Sequence, residues 1–195
     1  MNIKNILVPT DFSPCSKNAV RIAVDLSKKL GAKIHLINAI HVPTPHMDIG
    51  GQAIIEPMLE EYEEEIDKKF DALDEEIPGL KDVKHDHRAY VSFTIDAIYT
   101  AMETKKIDMI VMGTKGSHDT LEKLLGGVSS EVIRIADVPV LVVPEAIKKF
   151  NPKKIVFAAD FNKIESIGRL SPLKDIAELF EAEIAIVNVT GDDKF

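Results

Sequence analysis

Short apolar, β-branched runs alternate along this chain with longer stretches of helical period, and that alternation restricts the fold more than any other feature. Ile6 to Val8, Ile34 to Ile40, His87 to Val91, Ile107 to Met112 and Val140 to Val143 read as strands, with room for a helix between each and the next. Strands joined through helices run parallel, and a parallel sheet needs cover on both faces. The expectation is an α/β fold: an open five-stranded parallel sheet with helices on both faces.

The helical segments carry their own punctuation. Ser13 is placed to cap the first helix, with Pro14 at its first position; Ala19, Val20, Ala23, Leu26 and Leu30 share one face, and Gly31 ends it. A second helix, from about Ile54 to Leu73, sets Ile55, Leu59, Tyr62, Ile66, Phe70 and Leu73 at three-and-four spacing. Glu60, Glu61, Glu63, Glu64 and Glu65 crowd its other side and read as a solvated face. Between the second strand and this helix, His41 to Gln52 is rich in turn formers and is the segment expected to move most. A third helix, starting at Ser92 or Thr94, is expected to bury Ile95, Ile98, Tyr99 and Met102; a fourth contains Val132, Ile133 and Ile135.

The opening of the chain returns near its end. Lys4-Asn5-Ile6-Leu7-Val8-Pro9-Thr10-Asp11-Phe12 recurs as Lys153-Lys154-Ile155-Val156-Phe157-Ala158-Ala159-Asp160-Phe161, an offset of 149 positions. Leu36-Ile37-Asn38 recurs as Ile186-Val187-Asn188 at an offset of 150. The second copy holds strand, helix and strand, and stops. A chain of 195 residues fits one complete core plus a fragment better than two cores. Residues 1–146 are read as one domain and 152–195 as an incomplete βαβ repeat of it, with the boundary near Pro144 to Asn151.

Composition enters by exclusion. A net charge of −8 with dispersed Lys and Arg argues against nucleic-acid partners, and no apolar run reaches the roughly 18 residues a membrane helix needs. The sequence shows no secretory leader pattern, so a cytoplasmic location is expected. A single cysteine, Cys15, allows no disulfide within the chain. It reads as an inert, semi-buried thiol, with a reactive thiolate at the start of the first helix as the alternative. His85 and His87 share one side of a strand, and no third metal ligand accompanies them.

Chemistry concentrates in Met112-Gly113-Thr114-Lys115-Gly116, nine intervening residues, and Gly126-Gly127-Val128-Ser129-Ser130, which follow a buried strand and precede a helix. Glycines let backbone approach an anion, and a helix start supplies N–H donors and a favourable dipole. Spacing alone leaves two readings open, an anion site or tight turns. The stretch resembles the G-x2-G-x9-G-[S/T] signature of ATP-binding universal stress proteins, as do Val8-Pro9-Thr10-Asp11-Phe12-Ser13 and Asp137-Val138-Pro139-Val140-Leu141-Val142-Val143. The incomplete repeat resembles the start of a second domain in tandem members.

The resemblance implies a Rossmann-like nucleotide-binding fold and ATP, or ADP or AMP, as ligand, with magnesium accompanying the nucleotide. It implies contacts from Pro9, Thr10, Asp11, Ala39, Met112, Gly113, Gly116, Gly126, Gly127, Val128 and Ser129: Asp11 for ribose hydroxyls or a hydrated metal, Ala39 for adenine. Asp11 as a helix cap is the alternative. Gly127 departs from the signature, which has Ser or Thr there. Phosphate-loop, dinucleotide and nucleophile-elbow motifs are absent, so no enzyme is expected beyond slow ATP hydrolysis, and only Lys115 and Lys123 lie near enough in sequence to assist it. A member that binds no nucleotide and works as a dimeric interaction module is the competing expectation. Valine at Gly113 or Gly126 is expected to abolish binding while sparing the fold. A homodimer is expected through the edge strand Val140 to Val143, with the partial repeat packed on its own or the partner's domain.

Overall fold

The structure, a computed structural model, describes residues 3–41, 52–114, 127–159 and 170–188, with side chains of the second helix described from Pro57 onward. Two compact units emerge, residues 2–149 and 150–195. In the first, β1 (Asn5–Pro9), β2 (Lys33–Ile40), β3 (His85–Val91), β4 (Met109–Thr114) and β5 (Val140–Pro144) form one parallel sheet in the order β3-β2-β1-β4-β5. Between them run α1 (Pro14–Leu30), α2 (Gln52–Glu76), α3 (Thr94–Lys105) and α4 (Gly127–Ile135). The α/β architecture expected from the alternating pattern is the one observed.

Alternation along each strand divides the core. Leu7, Ile37, Ile110 and Met112 face Ala97, Ile98 and Ala101 of α3 and Val132 of α4. Ile6 and Val8, also fully buried, point to the opposite face, where α1 packs on β1, β4 and β5. Removing one such side chain costs about 2–5 kcal/mol, because packed surroundings cannot collapse into the gap.

Local signals account for the ends of α1. The Ser13 hydroxyl accepts the Ser16 N–H at 3.3 Å, and Gly31, at φ 68°, takes the left-handed turn that lets its N–H reach Ser27 O. The glutamate run on α2 is exposed, while Phe70 and Leu73 on its other side are buried. One expectation fails on the remaining helices. Tyr99 is 52% exposed, because α3 turns Ala97, Ile98 and Ala101 inward and places Tyr99 on its flank. α4 contains Val132, Ile133 and Ile135 as expected, with Val132 buried and Ile133 exposed. Strand boundaries also move: β3 starts at His85 rather than His87, and β4 runs from Met109 to Thr114 rather than from Ile107 to Met112.

In residues 150–195, β6 (Lys154–Ala158) and β7 (Glu183–Val187) form a two-stranded parallel sheet with α5 (Ser171–Phe180) between them in sequence. Ala177 and Phe180 are buried, with Phe150 edge-on to Phe180 at 5.0 Å, whereas Val156 and Ile186 lie 63% and 61% exposed. The two units share one hydrogen-bond arrangement. Asn38 Nδ2 donates to Thr10 O at 2.8 Å, and Asn188 Nδ2 donates to Ala159 O at 2.7 Å. Among the described residues no helix is long and apolar enough to cross a membrane.

Candidate functional site

Strand order reverses between β1 and β4, and there the sheet opens. β1 pairs with β2 over five positions but with β4 over only two, Ile6 with Met109 and Leu7 with Ile110. Beyond Leu7 the two strands part, leaving a crevice at their carboxyl ends, the place where open parallel sheets hold ligands. A cavity of about 230 Å³ occupies it.

Residues from six elements and their adjoining turns meet in this cavity. Pro9, Thr10 and Asp11 come from the end of β1, Ala39 from β2, Met112 and Gly113 from β4, and Val128 and Ser129 from α4. These are eight of the residues singled out from sequence. Gly127, the first residue of α4, adjoins Val128. Gly116 and Gly126 fall outside the described residues, as do Lys115, Lys123 and most of the loop from His41 to Gln52. Sequence reasoning missed Ser13, Ser16, Ile37, Asn38, Thr94 and Ala97, which also line the space. The asparagine recurring at matching positions, Asn38 and Asn188, was the one available signal among them.

Polar groups on one wall are tightly organised. Thr10 N–H donates to Ile37 O and Thr10 O accepts from Asn38 Nδ2, both at 2.8 Å, so the residue before Asp11 is held on two sides. Thr10 Oγ1 accepts the Phe12 N–H at 3.0 Å and lies 3.0 Å from Ser16 Oγ. Asp11 Oδ1 accepts the Ser13 N–H at 3.1 Å. Partial burial is the largest single influence on the Asp11 carboxyl and pushes it up; hydrogen bonds from Ser13 and Ser16 outweigh burial and hold it below its ordinary value. The cap of α1 is Ser13, and Asp11 bonds to the turn before that helix, its carboxylate bordering the cavity.

The lining from β2, β4 and α3 includes the apolar residues Ile37, Ala39, Ala97 and Met112. The first turns of α1, α3 and α4 all border the cavity, through Ser16, Thr94 and Ser129. Three helix first turns bordering one space make it favourable for negative charge. Apolar lining, a carboxylate and bordering helix starts together suit a nucleotide, whose base, ribose and phosphates need those three environments.

Two glycines behave differently. A Cβ on Gly113 would lie 2.6 Å from Cys15 O and 2.8 Å from Cys15 Sγ, so Gly113 lets α1 pack against β4. The expectation that valine there spares the fold is therefore corrected: the side chain collides with backbone. A Cβ on Gly127 meets nothing within 4 Å, and its backbone is not left-handed. Cys15 itself is buried and borders the cavity. His85 Nε2 lies 3.0 Å from Asp74, whereas His87 stacks on Phe70 and lies 3.6 Å from Asp67, so each histidine has its own carboxylate.

Comparison with known proteins adds to this geometry. A model described as the universal stress protein family matches residues 2–144. Universal stress protein MJ0531 of Methanocaldococcus jannaschii is 33% identical over 149 residues, which cover 75% of this chain and 85% of that protein. The solved structure of hypothetical protein MJ0577 is similar at a TM-score of 0.58 and 28% identity, over 74% of this chain and 97% of that one. That protein is recorded as a universal stress protein of the same organism. A universal stress protein from Archaeoglobus fulgidus, 24% identical, shares the fold over 98% of this chain and 69% of its own, with a TM-score of 0.66.

Proposed function

This chain belongs to the universal stress protein family, matched over residues 2–144, and from that premise we propose that it binds an adenine nucleotide, ATP foremost, and changes its association with itself or with partners when occupied. The observation that carries the reading is the crevice where β1 and β4 part, bordered by the first turns of three helices and by Asp11. In this reading Ala39 and the apolar lining take adenine, Asp11 takes the ribose hydroxyls, and the backbone donors of Gly113, Gly116, Gly126 and Gly127, with Ser129, take the phosphates. Magnesium would arrive with the nucleotide and neutralise phosphate charge. The chain is a binding module of the cytoplasm, with slow hydrolysis at most, and associates as a homodimer through β5.

Nucleotide released on denaturing the purified protein tests the reading. ATP or ADP at near-equal stoichiometry, or calorimetric binding of Mg-ATP, is the expected result. Gly127, which lacks the hydroxyl of the family signature, favours a second reading in which the chain works as an interaction module without nucleotide. Absence of binding even at millimolar Mg-ATP would establish that alternative, and rapid turnover would indicate an enzyme instead.

A further inference from the structure

Phe12 sits at φ 61°, a left-handed conformation that a bulky side chain rarely adopts. Two other non-glycine residues share a positive φ among the described residues, Lys106 and Glu181, and each terminates a helix, where that geometry is routine. Phe12 terminates none. It follows Asp11 directly, and backbone strain of this kind persists only where the surroundings over-determine it.

Those surroundings are specific. The Phe12 N–H donates to Thr10 Oγ1 at 3.0 Å, and its ring meets Phe70 of α2 edge-on, with centroids 5.1 Å apart at 69°. Phe70 is 2% exposed and stacks in turn on His87 of β3, at 4.6 Å and 14°. On the other side, Thr10 is pinned to β2 through Ile37 and Asn38. Asp11 thus lies between a residue fixed to the sheet and a strained residue fixed to a helix. If Phe12 relaxed to an extended or right-handed backbone, the chain would leave Asp11 in another direction. Either the ring would lose Phe70, or the Asp11 carboxylate would lose the Ser13 N–H.

We propose that Phe12 is a positioning residue, whose left-handed backbone and aromatic anchor on α2 aim the Asp11 carboxylate into the cavity to receive ribose hydroxyls. The proposal rests on the nucleotide reading of the cavity and assigns a function to a side chain that does not itself line it. Phe12→Gly removes both strain and anchor, and Phe12→Tyr keeps the ring contact. Calorimetry with ATP and with 2′,3′-dideoxy-ATP separates aiming from general support. Phe12→Gly is expected to weaken ATP binding about tenfold or more while leaving the dideoxy analogue unchanged, since only ATP offers the hydroxyls Asp11 would hold. Phe12→Tyr is expected to match the wild type. Equal losses for both ligands, or none, would overturn the proposal. A second measurement needs no ligand: carbon NMR titration of Asp11 should show its carboxyl returning toward the ordinary value in Phe12→Gly, as the Ser13 and Ser16 bonds that hold it down are lost. A wild type that binds no adenine nucleotide refutes the nucleotide reading, and an unshifted Asp11 titration separately refutes the role of Phe12.

Discussion

At the scale of single residues, two glycines of the same stretch have opposite tolerance for a side chain. Gly113→Ala forces a methyl to 2.6 Å from the Cys15 carbonyl oxygen, and overpacking of that kind costs about 1–3 kcal/mol. Thermal denaturation should show the loss with or without ligand; an unchanged midpoint would mean that α1 shifts freely. Gly127→Ser has open space and an ordinary backbone, and it supplies a hydroxyl where the family signature has one. A hydrogen bond to a charged group is worth about 1.5–3 kcal/mol, so tighter Mg-ATP binding by tenfold or more is expected. Weaker binding by a folded Gly127→Ser protein would exclude phosphate from that position. The sequence made both glycines visible and could not tell them apart, because the distinction depends on Cys15, remote in the chain.

At the scale of elements, legibility followed how local the cause is. Ser13, Pro14 and Gly31 bound α1 through contacts within a few residues, and their identities alone placed its ends. α3 starts after Phe93 with no side-chain cap, so its first residue carried no such signal. Pairings that depend on register were not legible at all. His35 of β2 joins Asp86 of β3 at 2.7 Å through Nδ1 and Asn5 of β1 at 3.0 Å through Nε2, which ties three strands together at a buried imidazole. Lys33 and Lys105 complete the group around Asp86. Partial burial is the largest influence on Asp86 and pushes its carboxyl up; hydrogen bonds from Lys33 and His35, with the charges of His35 and Lys105, outweigh burial and hold it below the ordinary value of about 3.8. A depressed folded-state value stabilises the fold above the unfolded value, and that contribution disappears as pH falls through the folded one. Asp86→Asn should therefore lower stability at neutral pH, with the gap to wild type closing as denaturation is measured below about pH 4. A gap that is constant with pH would remove the charge from the explanation.

For the whole molecule, the chain forms a five-stranded and a two-stranded sheet, and β5 stands at an open edge with β4 as its one paired neighbour among the described strands. Val140, Leu141 and Val142 remain half-buried there, an apolar edge of the kind that invites another strand. Light scattering at micromolar concentration is expected to give a dimer, and a charged pair, Leu141→Lys with Val142→Glu, to give a monomer. A wild-type monomer would leave β5 as an edge protected by shortness alone.

Strand order also dictates a sequence of events during synthesis. β1 and β2 are separated by one helix and can pair once both have left the ribosome. β4, which closes the other side of β1, comes so much later that Asn5 and its partner Asp108 are 103 positions apart. Contacts over such separations form late, because the loop must be closed before they contribute. The crevice between β1 and β4 is therefore completed only after β1 and β2 have paired. In pulse-labelled hydrogen exchange, amides of β1 and β2 should gain protection before those of β4 and β5, and simultaneous protection would contradict that order. A newly made chain would hold half its sheet before it has anywhere to hold a ligand, so the nucleotide proposed for the crevice would stabilise the finished protein without guiding the first steps of its assembly.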